Sequence, residues 1–486
     1  MHSLLLSNLF WGFGWVVVLI IDVLALIYIP RDRKPTAAMA WLLLILIVPL
    51  VGLVIYLLIG NFRLPAKRRN EQARIDEIIR SRVQRGGDDP GWPRWFQRVA
   101  EQNETLTSLP AVAGNGASLI DDYQASMDAM AAAIDTANDW VHVEFYIVAW
   151  DDTTRGFFSA MERAVQRGVT VRLLADFIAT RKIPNSDKTF AELDRIGVKW
   201  SFMLPVQPFK GKFQRPDLRN HRKLLVVDGR VGFMGSQNLI SRDYNSPKNI
   251  KRGLKWQELM TRLDGPVVAQ VNTVFLSDWV IETGEDVSAS EHLAASDIAP
   301  AAENLTCQLV PSGPAYETEN NLRLFLSLIH AATERVILTS PYFVPDEAMV
   351  YAITTACQRG LDVQLFVSEI GDQGLVYHAQ RSYYRTLLAA GVRIFLYPAP
   401  FILHAKHFSI DDDVAVIGSS NMDIRSFSLN AEMSMLVRGA SFVQAMRRVE
   451  QKYRDAGREL TLEEWEREPA HSTFLDGLAR LTSALN

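Results

Sequence analysis

The sequence predicts an α/β fold, built as two copies of one layered helix–sheet–helix domain behind a two-helix hairpin. Three observations predict it. The stretch His221 to Asn238, HRKLLVVDGRVGFMGSQN, recurs as His404 to Asn421, HAKHFSIDDDVAVIGSSN, with the same internal spacing. The chain around both stretches alternates between helical and strand-like patterns. Two long apolar runs stand ahead of the first copy.

At 486 residues the chain exceeds one compact core, and two or three domains are expected. The pattern places a hairpin at 1–60, a juxtamembrane linker at 61–115 and the two α/β domains at 116–300 and 301–486. The formal net charge of −4 argues against a general binder of polyanions, so no nucleic-acid partner is expected. Cys307 and Cys357 lie far apart and form no C-x2-C pair. They read as ordinary buried thiols, with neither a disulfide framework nor a structural zinc site.

The first apolar run is Leu9 to Ile29 and the second Met39 to Gly60. A membrane-spanning helix needs about 20 such residues. A cleaved signal peptide fits poorly, because MHSLLLSN lacks a basic start and a second run follows at once. The linking residues carry Arg31, Arg33 and Lys34; after the second run come Arg63, Lys67, Arg68, Arg69 and Arg74. The positive-inside rule therefore favours a multi-pass membrane protein with a cytoplasmic body. Asp22 lies inside the first run, where a carboxylate costs about 2.5–3.5 kcal/mol on insertion scales. Beyond Gly60 the charge runs and GGDDPG (86–91) read as linker, with a short helix around Gln72 to Val83.

From Ser118 the elements follow in order. Leu119–Ala137 has helical periodicity and Val141–Val148 reads as a strand. A helix at Phe157–Arg167, a strand at Val169–Phe177, a helix at Phe190–Ile196 and a strand at Val198–Leu204 continue the alternation. The repeated stretch adds strands at Lys223–Val227 and Val231–Met234. The second half repeats this order: AVQRG (164–168) matches ACQRG (356–360), IGVK (196–199) matches AGVR (390–393), and Tyr146 matches Tyr342. Such glycines sit where a helix ends and a strand begins. The Ala-, Ser- and acid-rich stretch Ser288 to Glu303 joins the halves. Only the first copy has an insertion, Pro205 to Asn220. It interleaves Lys210, Lys212, Arg215 and Arg219 with Phe209 and Phe213, a mixture suited to an interfacial lipid contact, the alternative being an exposed loop.

Both repeated stretches fit H-x-K-x4-D-x6-G-S-x-N. Histidine can attack phosphorus or move protons near neutral pH. On a strand, H-x-K puts both side chains on one face, and lysine supplies charge for phosphate oxygens. His221 with Lys223 and His404 with Lys406 therefore form a candidate catalytic set. Double displacement at a phosphodiester needs one group to attack and another to protonate the leaving alcohol, so two histidines suit it. Asn238 and Asn421 can bind phosphate or fix a loop, as can Ser236 and Ser419 beside them. Gly235 and Gly418 leave room for close backbone approach. Asp228 and Asp411 are candidate orienters of the histidines, by the logic of a catalytic triad. Glu258 and Glu432 form a second acidic pair, each following its histidine and opening a strand-like segment. The run Asp411–Asp413 reads as a turn rather than a metal site, and neither metal nor cofactor is expected.

The paired motif is that of the phospholipase D superfamily, which the chain resembles. Further stretches make it similar to the bacterial cardiolipin synthases of that superfamily. These are AMAWLLLILIVPLVGLVIYLLIG, HVEFYI, Asn220 to Lys223, LDGPVV (263–268), SDW (277–279), SGP (312–314), SPYFVPDE (340–347) and MDIRSFSLNAE (422–432). The resemblance covers nearly the whole chain. It implies tandem phospholipase D-like domains and phosphatidyl transfer between two phosphatidylglycerol molecules through a phosphohistidine. It further implies Glu258 and Glu432 as histidine orienters and a more structural role for Asp228 and Asp411. His221 is assigned as nucleophile and His404 as acid/base, with Lys223, Lys406, Asn238 and Asn421 binding phosphate. Arg242 and Arg425, equally spaced from their histidines, either hold a second headgroup or serve as structural salt-bridge partners. No motif specifies the acceptor. A phospholipase D using water, or an inactive lipid-binding scaffold, is the alternative reading.

Overall fold

The computed structural model describes residues 2–31, 35–60, 70, 91–207, 212–285, 298–316 and 318–482. At the N-terminus come α1 (His2–Tyr28), α2 (Pro35–Ile47) and α3 (Pro49–Ile55), the last running into a π-helical turn at Tyr56–Gly60. Val48, at φ −134° and ψ 73°, breaks the second apolar run between α2 and α3. No helix among the described residues is long and apolar enough to cross a membrane. In α1 that description includes side chains only from Gly14 onward. Ile21, Ala25 and Ile29 pack against Ala38, Trp41 and Ile45. The Oδ1 of Asp22 has no hydrogen-bond partner among the described residues. The helix expected at Gln72 to Val83 lies outside the described residues.

Helix α4 (Arg94–Thr107) stands where the linker was expected. Its apolar residues recur at helical spacing, and Phe96, Val99 and Ala100 enter the core of the second half. Asn103 donates to Gln308 at 3.0 Å, tying the helix to the second half of the chain. The linker reading therefore fails from about Trp92 onward.

Next come β1 (Val112–Ile120), α5 (Tyr123–Asp135), β2 (Trp140–Phe145), α6 (Arg155–Gln166), β3 (Thr170–Asp176), α7 (Ser186–Ile196) and β4 (Lys199–Met203). Asp122 caps α5 by accepting from the Ala125 amide, so the expected helix starts later and its first residues belong to β1. The repeated stretch forms β5 (Lys223–Val227) and β6 (Val231–Gly235). After α8 (Pro247–Arg252), β7 (Met260–Asp264) and α9 (Val267–Thr283) close the first half.

The second half holds β8 (Leu305–Ser312), α10 (Asn320–Ala331), β9 (Arg335–Thr339), α11 (Glu347–Gln358), β10 (Asp362–Ser368), α12 (Gly374–Arg381) and β11 (Arg393–Tyr397). Its own repeated stretch gives β12 (His407–Ile410) and β13 (Val414–Gly418), followed by β14 (Asn430–Arg438) and α13 (Ala440–Ala456). A short edge strand β15 (Arg458–Leu460) and α14 (Ala470–Thr482) follow.

All these strands join one sheet, ordered β15-β11-β10-β9-β12-β13-β14-β8-β1-β7-β6-β5-β2-β3-β4. The two halves mirror each other about the antiparallel β8–β1 seam. Within each half three strands run parallel (β2, β3, β4 and β9, β10, β11) and the repeated stretch adds an antiparallel hairpin. Helices cover both faces, so strands such as β2 are buried along their whole length. On one face α9 and α13 pack into a core common to both halves. On the other face each half has its own core, with α5, α6 and α7 over the first and α10 and α11 over the second.

Candidate active site

Two short parallel pairings bring the repeated stretches together. Arg219–Asn220, just before the first histidine, pairs with Asn430–Ala431 of β14. Lys255–Gln257, from the first half, pairs with Phe401–Leu403, just before the second histidine. The His221 amide donates to Ala431 O at 2.8 Å and the His404 amide to Gln257 O at 2.7 Å. Each histidine is thus anchored by a strand that contains a glutamate of the other half (Glu432) or runs directly into one (Glu258).

The side chains complete the exchange. His221 Nδ1 lies 3.0 Å from Glu432 Oε2, and His404 Nδ1 lies 2.8 Å from Glu258 Oε1. An ionised carboxylate only accepts, so beside Glu432 the His221 Nδ1–H donates and the lone pair of that ring stands on Nε2. Ser419 Oγ donates to Glu432 at 2.5 Å. Lys223 Nζ and Lys406 Nζ each donate to the carbonyl of their own histidine, and Lys406 Nζ is 3.0 Å from His404 Nε2. The four basic groups and both glutamates are buried.

Burial dominates the electrostatics. It pulls His221 down to about 4 although Glu432 opposes it. His404 falls well below its usual range through burial and then the charges of Lys406 and Lys223. Burial also lowers Lys223, and it brings Lys406 to about 8 against the pull of Glu258 and Glu432. The two acids diverge. Burial raises Glu258 to about 7 against Lys406 and a Ser236 hydrogen bond. Burial raises Glu432 too, but His221, Lys223 and Ser419 outweigh it and the net shift is downward. One acid is firmly ionised; the other titrates near neutrality.

Residues 130–279 and 325–453, more than half of the chain, match the family described as cardiolipin synthase, PLD-like domain. The chain belongs to the cardiolipin synthase family. Residues 16–61 match the phospholipase D-nuclease N-terminal family. Cardiolipin synthase A of Proteus mirabilis (strain HI4320) is 30% identical over 502 residues, spanning 99% of this chain and 98% of that one. Cardiolipin synthase of Halalkalibacterium halodurans is 31% identical over 452 residues, 89% of this chain and 86% of that one. The crystal structure of phosphatidylserine synthase from Haemophilus influenzae Rd KW20 shares the fold. Its TM-score is 0.60 at 14% identity, covering 80% of this chain and 98% of that chain.

In this cardiolipin synthase-family chain the two signature aspartates stand away from the histidines. Asp228 accepts from the amides of Asn138, Asp139 and Trp140. Asp411 accepts from the amides of Thr333, Glu334 and Arg335. Both occupy the left-handed region, φ +49° and +47°, which Asp tolerates in turns. The expectation that they orient the histidines is corrected: each carboxylate fastens a hairpin turn to the start of a neighbouring strand. Asp412 and Asp413 face Arg335 and Arg438.

Ser236 Oγ exchanges hydrogen bonds with the backbone of Leu259. A Cβ on Gly235 would collide with Leu259 O, and one on Gly418 with Met433 O. Asn238 Oδ1 accepts from the Ile147 amide, and its Nδ2 donates to the Tyr244 hydroxyl. Asn421 Oδ1, by contrast, has no hydrogen-bond partner among the described residues. Arg242 donates to Trp256 O and to Gln257 Oε1, and Arg425 donates to Asp217 O. These acceptors are carbonyl and amide oxygens, so the salt-bridge partners expected of the structural reading are not what these two hydrogen-bond sets contain. In the insertion before His221, Arg219 is buried on Asp176 and Arg215 pairs with Asp217. Those two cations are used internally, which corrects the lipid-contact reading for them. Phe209 and Lys210 lie outside the described residues.

The structure brings to the site residues to which the sequence assigned no role there. Tyr146 stacks edge-on to His221 at 4.9 Å, while Tyr342 and Tyr244 lie 6.1 and 6.4 Å from His404. Glu144, Asn220, Arg222 and Asp278 form one buried network beside His221: Asn220 donates to Glu144, Arg222 pairs with Asp278, and Arg222 Nε donates to Glu432 O. Their stretches HVEFYI, Asn220 to Lys223 and SDW were visible separately; only folding shows that they meet.

Proposed function

We propose that the chain is a cardiolipin synthase, transferring a phosphatidyl group from one phosphatidylglycerol to another through a phosphohistidine. The observation that carries this reading is the exchange of partners: each imidazole is held through Nδ1 by a buried glutamate of the other half, with a buried lysine beside it. Two such histidines make one site rather than two.

His221 is the nucleophile. Its ionised partner Glu432 holds a proton on Nδ1 and leaves the Nε2 lone pair for attack on phosphorus. As the N–P bond forms, the P–O bond to glycerol breaks, and the glycerol oxygen takes a proton from the His404–Glu258 pair. Pairs of groups pushed apart in pKa divide acid from base roles in this way. In the second step the hydroxyl of another phosphatidylglycerol returns its proton to His404 and attacks phosphorus, releasing His221. Lys223, Lys406 and the Asn421 carboxamide stabilise charge on the phosphoryl oxygens.

We also read α1 and the α2–α3 pair as a transmembrane hairpin holding the body at the cytoplasmic face of the bacterial inner membrane. The apolar sequences, the packing of Ile21 and Ala25 on Trp41 and Ile45, and outward side chains such as Leu19, Leu43 and Leu50 support it. Purified protein in detergent, given labelled phosphatidylglycerol, should yield cardiolipin and free glycerol. Phosphatidic acid as sole product would overturn the synthase reading in favour of a hydrolase.

A further inference from the structure

Helix α14 is inside out. Its one acid, Asp476, is buried and accepts from His378 Nδ1 at 2.7 Å and Arg381 Nε at 3.3 Å, both on α12. Phe474, Leu475, Leu478 and Leu481 point away from the body, 45–70% exposed. Their spacing of i, i+1, i+4, i+7 makes one stripe, and exposed apolar patches of this kind mark a contact. Leu375 on α12, 55% exposed, adds to it.

The stripe adjoins the site. The loop ahead of α12 carries Asp372, which accepts from the Tyr342 hydroxyl at 2.9 Å, and the Tyr342 ring stands 6.1 Å from that of His404. Arg252 of α8 donates to Gly371 O in the same loop at 2.9 Å. Beside it α8 exposes Lys248, Ile250 and Lys251, and Lys255 follows just after. Helix α8 lies in a segment that the second copy lacks: Asn238 to Glu258 is 20 positions, Asn421 to Glu432 only 11. The segment opens at Tyr244, which accepts from Asn238. One rim therefore runs from α14 through α12 to α8 along the site.

We propose that this rim rests on an anionic lipid surface. The apolar stripe of α14 sinks into the boundary between headgroups and acyl chains, and the lysines of α8 neutralise headgroups, which sets the site's mouth against its substrates. Apolar side chains beside lysines suit a membrane interface. A second copy fits less well as the occupant, because Ser246–Gln257 holds four basic residues and no acidic one, so the basic segment brings no opposite charge to its own copy. The inference rests on the proposed membrane reading, and the test separates the two.

The full chain, with Cys357→Ser and Leu478→Cys, is labelled at position 478 with an environment-sensitive dye and reconstituted into phosphatidylcholine vesicles with and without phosphatidylglycerol. Cys307 is buried, and Leu478 is exposed, so the labelling leaves the core intact. Quenching by nitroxide lipids and several-fold protection from aqueous iodide are expected, both stronger with phosphatidylglycerol. Lys248→Glu with Lys251→Glu should remove that difference. Free access of iodide to position 478, while a dye at Leu24→Cys is quenched by lipid, would overturn the rim and leave the hairpin standing. Failure at both positions would overturn both. Protection from both quenchers would mean that another protein surface covers the stripe, which also overturns the proposal.

Discussion

His221 Nδ1 lies 3.0 Å from Oε2 of Glu432, an acid 211 positions further along and in the other copy of the repeat. The acid nearer in sequence, Glu258, serves His404 instead. If this exchange orients the nucleophile, Glu432→Gln should lower cardiolipin formation by about 10²–10⁴-fold with little change in KM. Protein incubated with labelled phosphatidylglycerol and denatured with detergent at mildly alkaline pH, where a phosphoramidate survives, should carry the phosphatidyl group on His221. His221→Ala should carry none, and label found on His404 would reverse the assignment.

Glu258 titrates at about 7 in the folded chain, above the usual carboxylate range. Its protonated form, through His404, supplies the proton that the leaving glycerol oxygen takes, so the rate should fall as pH rises through about 7, and Glu258→Gln should abolish that limb. The same shift acts on stability. A raised carboxyl binds more protons folded than unfolded, so its contribution is present below the unfolded value and is lost as pH rises through about 7. Thermal unfolding in detergent at pH 5 and pH 8 should show a smaller drop for Glu258→Gln than for the parent chain.

Asp228 and Asp411 should behave as structural residues. Asp411→Ala leaves amides of Thr333, Glu334 and Arg335 without their acceptor. Thr333 and Glu334 are exposed and water replaces part of what is lost, so a cost of about 0.5–1.5 kcal/mol per bond follows. Tm should fall clearly, while kcat at a permissive temperature stays within a few-fold. A large loss of kcat with unchanged Tm would restore these aspartates to the chemistry.

Truncation tests the role of α4. A chain starting near Gly91 keeps Phe96, Val99 and Ala100 in the second half's core and should stay folded in detergent. A chain starting at Leu109 opens that core, and burial of a Phe alone is worth about 3–5 kcal/mol against Ala. It should aggregate or expose apolar surface, measured by dye binding and proteolysis.

Much of this was legible because duplication doubles every signal. Lys223–Val227 and Val231–Met234 were placed to within a residue, since β-branched and apolar residues bounded by a turn leave little choice. Strand β1 was not, because Gly114 and Gly116 interrupt its alternation. Helix α4 was hidden among charges that look like linker. The crossing of Glu258 and Glu432 was beyond reach, since spacing along a chain does not say which of two like partners an acid meets. Asp228 and Asp411 misled for the opposite reason: they are near their histidines in sequence, but at the far end of a strand from them.

The crossed pairs also constrain inheritance. A substitution that weakens Glu432 is felt at a histidine coded in the other half, so neither half can drift or be replaced alone. A chimera that takes residues 301–486 from a relative would import a new partner for His221 and a new cradle for the strand before it. It would need the matching Lys255–Gln257 segment as well. The duplication has become a single heritable unit, in which two similar sequences are no longer spare copies of each other.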